Sequence, residues 1–194
     1  MILLVACGLA IAWGVARGGH LLGFADLPLR RSWIAIVALG LQLYPIYLRE
    51  AQGAGPDGIR VLVLIGSYLL LLVFIWENRH LPGIWLVGAG LIANLGVMLW
   101  NGGYMPTTRE ALAQAGYANY ATAELGSHLL ASKDVLLAPA EIHGWILSDL
   151  FVIPPPFPVA SVFSLGDVLI AAGLFQVVQH AMRKPFAVSM PWRS

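Results

Sequence analysis

The sequence predicts an all-α fold: a polytopic integral membrane helical bundle of about five transmembrane helices, with a lid of short helices on the outer face. Three observations carry this. Hydrophobic residues make up 59% of the 194 residues and charged residues only 11%, with a mean hydropathy of +0.78. Soluble domains carry about 25% charged residues, so this chain has too few charges to cover a surface facing water. The apolar residues are gathered in five long runs, and a segment of mixed composition, 101–162, separates the fourth run from the fifth.

The first run, 2–16, is "ILLVACGLAIAWGVA". A secretory signal would open with a basic stretch, and none precedes this run, so a retained first span is expected. Cys7 is the single cysteine, which allows no intramolecular disulfide. The second span is expected at 33–48. The third, at 59–76, has "VLVLIGSYLLLLVFIW" at its heart. The fourth is 82–100 and the fifth 163–182. A segment alone in lipid must satisfy its own backbone hydrogen bonds, which makes each a helix. A span takes about 20 residues, so the first two are short. Trp33, Trp76, Trp85 and Trp100 fall near the expected ends, where interfacial aromatics belong.

Orientation follows from the cations. With the N-terminus outside, Arg17, Arg30, Arg31, Arg79, Arg183, Lys184 and Arg193 lie on the cytoplasmic side, seven of the eleven Lys and Arg residues. Arg49, Arg60, Arg109 and Lys133 lie outside. A multi-pass inner (cytoplasmic) membrane protein with a cytoplasmic C-terminus is expected. The lipid bilayer is then its first partner and another membrane protein a second. The net charge of +1 gives no reason to expect nucleic acid.

Within 101–162, Thr107-x-x-Glu110 has capping-box spacing and predicts a helix over 110–115 ending at Gly116. A second is expected over 117–125, ending at Gly126. From His143, the apolar part of "EIHGWILSDLFVI" (141–153) is too short to span and reads as re-entrant or interfacial. "PPPFP" (154–158) predicts a stiff extended connector. The corner "NGGYMP" should end the fourth helix: Gly102 can take the left-handed conformation and Pro106 prevents resumption. The backbone N–H groups of Gly102 and Gly103 could also cradle an anion or carboxylate.

Polar groups at membrane depth are costly and each requires an account. Asn94 and Asn101 lie seven apart on one helix face, with Ala89, Ala93 and Gly96 along much the same side. They read as a polar clamp on a helix-packing face, or, for Asn94, as the lining of a pocket. Asp167 follows Ser164 at capping spacing, so it reads as a helix-start device; a proton-transfer role is the alternative. Asp149 sits among apolar residues and, if buried, must be paired or protonated. Glu141, His143, Asp149 and Asp167 together could form an acid/base or metal site. Their spacing matches no metal motif, so no metal is assigned. There is no phosphate loop, nucleophile elbow, zinc motif or haem-attachment motif, so no cofactor is assigned either.

With "NGGYMP" and "SLGDVLI" in hand, the chain resembles a family of uncharacterised bacterial polytopic membrane proteins, catalogued as a domain of unknown function. That family's Asn-Gly-Gly-x-Met-Pro motif matches Asn101, Gly102, Gly103, Met105 and Pro106. Its Ser-x-Gly-Asp motif matches Ser164, Gly166 and Asp167, and "LSDLF" around Asp149 resembles a Leu-x-Asp element between them. The resemblance implies that the three motifs gather at one membrane face, and it brings no activity with it. Two functions remain open. One is a non-catalytic membrane subunit or scaffold. The other is a small membrane enzyme or transporter that binds an amphipathic or anionic ligand beneath the lid, among Asn101-Gly102-Gly103, Asp149 and Asp167.

Overall fold

A computed structural model describes residues 2–43, 57–120, 122–129 and 132–183. It is mostly helical. Five long helices form on the five apolar runs: α1 (Ile2–Ala16), α2 (Ser32–Leu43), α3 (Asp57–Glu77), α4 (Ile84–Trp100) and, numbered in chain order after a short lid helix α5 (Arg109–Gln114), α6 (Leu165–Met182). The expected end of the second span, 44–48, lies outside the described residues, as do Arg49, Lys184 and Arg193. Among the described residues one helix, α6, is long and apolar enough to cross a membrane by length and composition; α1, α2, α4 and the Val61–Glu77 part of α3 are shorter apolar helices.

The long helices alternate in direction. Asn78, just past α3, accepts from the Arg30 N–H (2.8 Å) and donates to the Arg30 carbonyl (2.9 Å), tying the end of α3 to the start of α2. Gly103, just past α4, packs against Val61 near the start of α3. The His20 N–H donates to the Met182 carbonyl (3.2 Å), joining the far ends of α1 and α6. The start of α6 and the starts of α1 and α3 therefore share one end with the close of α4. The lid sits at that end.

The main core joins α3, α4 and α6 through Leu64, Tyr68, Ile75, Val87, Leu91 and Ile170. The α4–α6 seam is set by glycines. A methyl on Gly90 would fall 2.4 Å from the Gly166 carbonyl, and one on Gly173 2.6 Å from the Gly83 carbonyl, so the backbones approach as closely as small residues allow. This corrects the expected packing stripe: Ala89 and Gly96 are exposed, and Gly90 faces the partner helix.

The lid also departs from expectation, for it is not all helix. Strand β1 (Met105–Thr107) pairs in parallel with β2 (Asp134–Leu136), and β3 (Phe151–Ile153) pairs antiparallel with β4 (Ser161–Phe163). Of the expected helix over 117–125 the described residues form only a 3-10 turn, Ala118–Tyr120, and the apolar stretch after His143 is a 3-10 turn, Trp145–Leu147, followed by β3. The proline run is the loop of the β3–β4 hairpin rather than a straight connector. Phe151 and Phe163 stack across that hairpin with ring centroids 5.7 Å apart, a cross-strand contact that fixes its register. Helix α5 is capped by Thr108, whose side chain accepts from the Ala111 N–H. Thr107, the expected cap, lies in β1.

Candidate functional site: an acidic cavity under the lid

Residues 101–107 turn the chain into the lid and place its central strand. Gly102 and Gly103 have φ of +76° and +94°, and the Gly103 N–H donates to the Met98 carbonyl (2.7 Å), closing α4 as a left-handed glycine end does. A methyl on Gly103 would sit 2.6 Å from a Val61 side-chain carbon, so this corner is packed against α3. The Asn101 side chain grips the lid. Its Nδ2 donates to the Val97 and His143 carbonyls (2.8 and 2.9 Å), and its Oδ1 accepts from the His143 N–H (3.0 Å). The His143 ring stacks on Trp100. Glu141 turns to its own turn and accepts from the Ala138 N–H.

Strand β1 then carries an acid on either side. On one side the Met105 N–H donates to the Lys133 carbonyl (3.1 Å) and the Leu137 N–H to the Thr107 carbonyl (3.0 Å), which seats Lys133 and Asp134. On the other, the Asp149 N–H donates to the Pro106 carbonyl (3.1 Å) and Thr107 Oγ1 donates to the Asp149 carbonyl (2.9 Å). Asp134 and Asp149 are both buried and each feels the other's charge, which favours a proton on one of the two.

The electrostatics agree. Burial pushes Asp149 well above the usual carboxylate range; the neighbouring charges of Asp134 and Asp167 raise it further, against the pull of Lys133. Asp134 is raised as well, first by burial, while Lys133 and a hydrogen bond from Ser132 oppose the rise. Burial would pull the Lys133 ammonium down, but the facing Tyr68, Asp149, Asp167 and Asp134 outweigh it and hold the ammonium above its ordinary value.

Asp167 enters from α6, held by α4. Asn94 Nδ2 donates to Asp167 Oδ1 (2.9 Å), and Ser164 Oγ donates to Asn94 Oδ1 (2.9 Å). The Asp167 N–H donates to Ser164 Oγ (3.1 Å) and the Ser164 N–H to Asp167 Oδ2 (3.4 Å), completing a capping box. Gly166 leaves room for this, since a methyl there would lie 1.9 Å from Asn94 Oδ1. Asn94 therefore bonds across the seam as an interhelical clamp.

Asp134, Asp149 and Asp167 line one cavity of about 600 Å³ together with Lys133, Ser132, Ser161 and, at its apolar side, Ile2, Leu3, Leu4 and Leu112. Oδ1 of Asp134, Oδ1 of Asp149 and Oγ of Ser161 are buried there without a hydrogen-bond partner among the described residues. Of the residues singled out from sequence, the structure brings Asp149 and Asp167 into the cavity, with Asn94 just behind. Asn101, Gly102, Gly103, Glu141 and His143 serve the corner and the lid attachment. Lys133, Asp134 and Ser161 are the additions. Among the described residues no group of three His, Cys, Asp or Glu is arranged to hold a metal ion.

A family model, described as a family of unknown function (DUF5317), matches residues 26–179. The chain belongs to the DUF5317 family. The DUF5317 match takes in the α4–α6 seam, the whole lid and all three cavity aspartates; α1, whose first residues wall the cavity, precedes it. No curated protein and no solved structure matches the chain.

Proposed function

We propose that this DUF5317 chain is a polytopic inner-membrane protein that binds a small amphipathic ligand in the cavity beneath its outer lid, without catalysing a reaction on it. The observation that carries this is the set of buried, unpartnered carboxyl oxygens of Asp134 and Asp149 facing a cavity that also has an apolar wall. A buried polar atom without a partner costs about 1–3 kcal/mol, and a fold has no structural reason to keep two of them side by side. Three carboxyls against one ammonium argue for a ligand that donates hydrogen bonds, and against the anion the corner glycines had suggested.

The five-span reading is supported by the alternating helices and by large apolar side chains left exposed along every one of them: Leu9 on α1, Ile36 on α2, Leu69 on α3, Ile92 on α4 and Phe175 on α6. At about 1.5 Å per residue, α1 and α4 reach roughly 22 and 26 Å. That is short of the roughly 30 Å hydrocarbon core, a mismatch the bilayer absorbs by local thinning. A reporter inserted within 111–133 is expected on the outer face, and a cytoplasmic signal there would overturn the orientation.

A second reading, the non-catalytic subunit, draws on the Asn94–Ser164–Asp167 and Asn101–His143 networks, whose geometry is fully explained as clamping. Mass spectrometry of the chain purified in mild detergent separates the two. The cavity reading expects a retained small molecule or lipid that is lost in Asp149→Asn. A stoichiometric partner protein, with nothing retained in the chain itself, would favour the subunit.

A further inference from the structure

We propose that the cavity under the lid takes a primary ammonium group carried on an apolar chain, with the ammonium set between Asp134, Asp149 and Ser161 and the chain lying along Leu3 and Leu4. This rests on the binding reading above and names its ligand class. The first argument is a match of numbers and kinds. The atoms of cavity-lining residues left without partners are two carboxyl oxygens and one hydroxyl oxygen, all able to accept, and a primary ammonium is a compact cation with three N–H donors. The second is charge. Lys133 supplies one positive charge from the β2 side, facing Asp134, Asp149 and Asp167, with Tyr68 of α3 beside it. Ser132, Tyr117 and Tyr120 add only hydroxyls to the lining. The raised Asp149 carboxyl keeps a proton where a ligand cation would serve equally, so binding exchanges one positive charge for another and adds no net charge to the cavity. The third is shape. The cavity runs from this acidic end to the start of α1, where Leu4 is 72% exposed, so a chain attached to the ammonium leaves along an apolar wall.

Exchange for the Asp149 proton makes the affinity depend on pH. Burial and the facing acids raise Asp149, so below that raised value its proton must be expelled on binding. Affinity should then climb by up to about tenfold per pH unit, levelling once Asp149 is ionised in the free protein.

The test is calorimetric titration of the full chain in a non-ionic detergent with four probes of equal chain length: hexylammonium, hexyltrimethylammonium, hexanol and hexanoate. Hexylammonium is expected to bind best, with affinity rising with pH. Asp149→Asn should weaken it by about tenfold or more, the loss of one charge-assisted hydrogen bond. Ser161→Ala, a smaller change that keeps both carboxyls, should weaken it about three- to tenfold; unchanged circular dichroism shows that both variants fold. Equal binding of hexyltrimethylammonium would overturn the donor match. Tighter binding of hexanol or hexanoate, still sensitive to Ser161→Ala, would overturn the ammonium and leave the binding cavity standing. If no probe binds and the purified chain retains no molecule, both the ligand class and the binding reading fail.

Discussion

Gly166→Ala tests the seam that holds Asp167 in place. The added methyl would lie 1.9 Å from Asn94 Oδ1, 2.7 Å from Asn94 Cγ and 2.9 Å from the Gly90 carbonyl. Two of these three obstacles belong to a fully buried side chain held at both ends by hydrogen bonds, so it cannot simply swing away. Either Asn94 gives up its bonds to Ser164 and Asp167, or α4 and α6 separate. Overpacking costs about 1–3 kcal/mol. The two bonds are worth about 1–3 kcal/mol each by mutational series, though nearer about 0.6 kcal/mol each if they lie within the bilayer. Replacing a helical glycine returns up to about 1 kcal/mol, so even at the bilayer value for the two bonds a net loss of about 1–3 kcal/mol remains. The control is Gly96→Ala on the exposed face of the same α4, where nothing lies within 4 Å; it should be neutral or stabilising by up to about 1 kcal/mol. Tryptophan fluorescence during unfolding by a denaturing detergent reads both. Equal stability of the two variants would refute the close-packed seam.

Asn101→Ala removes both grips on His143 and should release the lid locally, raising hydrogen exchange over 143–148 by about tenfold, while the long helices keep their protection. Thr108→Ala should cost about 1 kcal/mol through loss of the α5 cap. Thr107→Val leaves that cap intact and removes the bond to the Asp149 carbonyl, so it should loosen Asp149 instead, again visible by exchange. The buried acid pair gives stability a pH dependence of known sign. Asp149 is raised in the folded state, so its contribution is fully present below the ordinary carboxylate value near 3.8 and is lost as pH rises from there through the raised value. Melting temperature should fall across that window in the wild type and much less in Asp149→Asn; an identical slope would count against a raised Asp149 carboxyl.

The parts of this structure legible in sequence are the local ones. Apolar runs mark the long helices because helix hydrogen bonds are internal to each run. The glycine ending of α4 and the Ser164–Asp167 cap are legible for the same reason, since both are complete within four or five residues. The capping pattern points one residue early, to Thr107, because Thr107 and Thr108 are adjacent and either can precede a helix; tertiary pairing of β1 takes Thr107 and leaves Thr108 to cap. The cavity was half legible. Asp149 and Asp167 stand out as charges among apolar neighbours. Asp134 and Lys133 do not, because "SKDVLLAP" looks like an ordinary polar-to-apolar boundary. Their importance comes from a parallel pairing of three-residue strands some thirty positions apart in the chain (Met105 with Asp134), which no local periodicity records. The small-residue stripe of Ala89, Ala93 and Gly96 misses the packing face for a similar reason. A helix with a weak apolar bias does not reveal which side its partner takes, and Gly90 is identified only by Gly166 across from it.

The centre of the proposed site is the buried Asp149 carboxyl, whose proton is held above the ordinary carboxylate range, and infrared spectroscopy over a pH series reads that proton directly. In the full chain, a protonated-carboxyl C=O stretch is expected that shifts on exchange into deuterated buffer, persists to pH values above those at which an ordinary carboxyl ionises, disappears in Asp149→Asn and weakens when hexylammonium is bound. A band lost at the pH where an ordinary carboxyl ionises, or a band unchanged by Asp149→Asn, would contradict it.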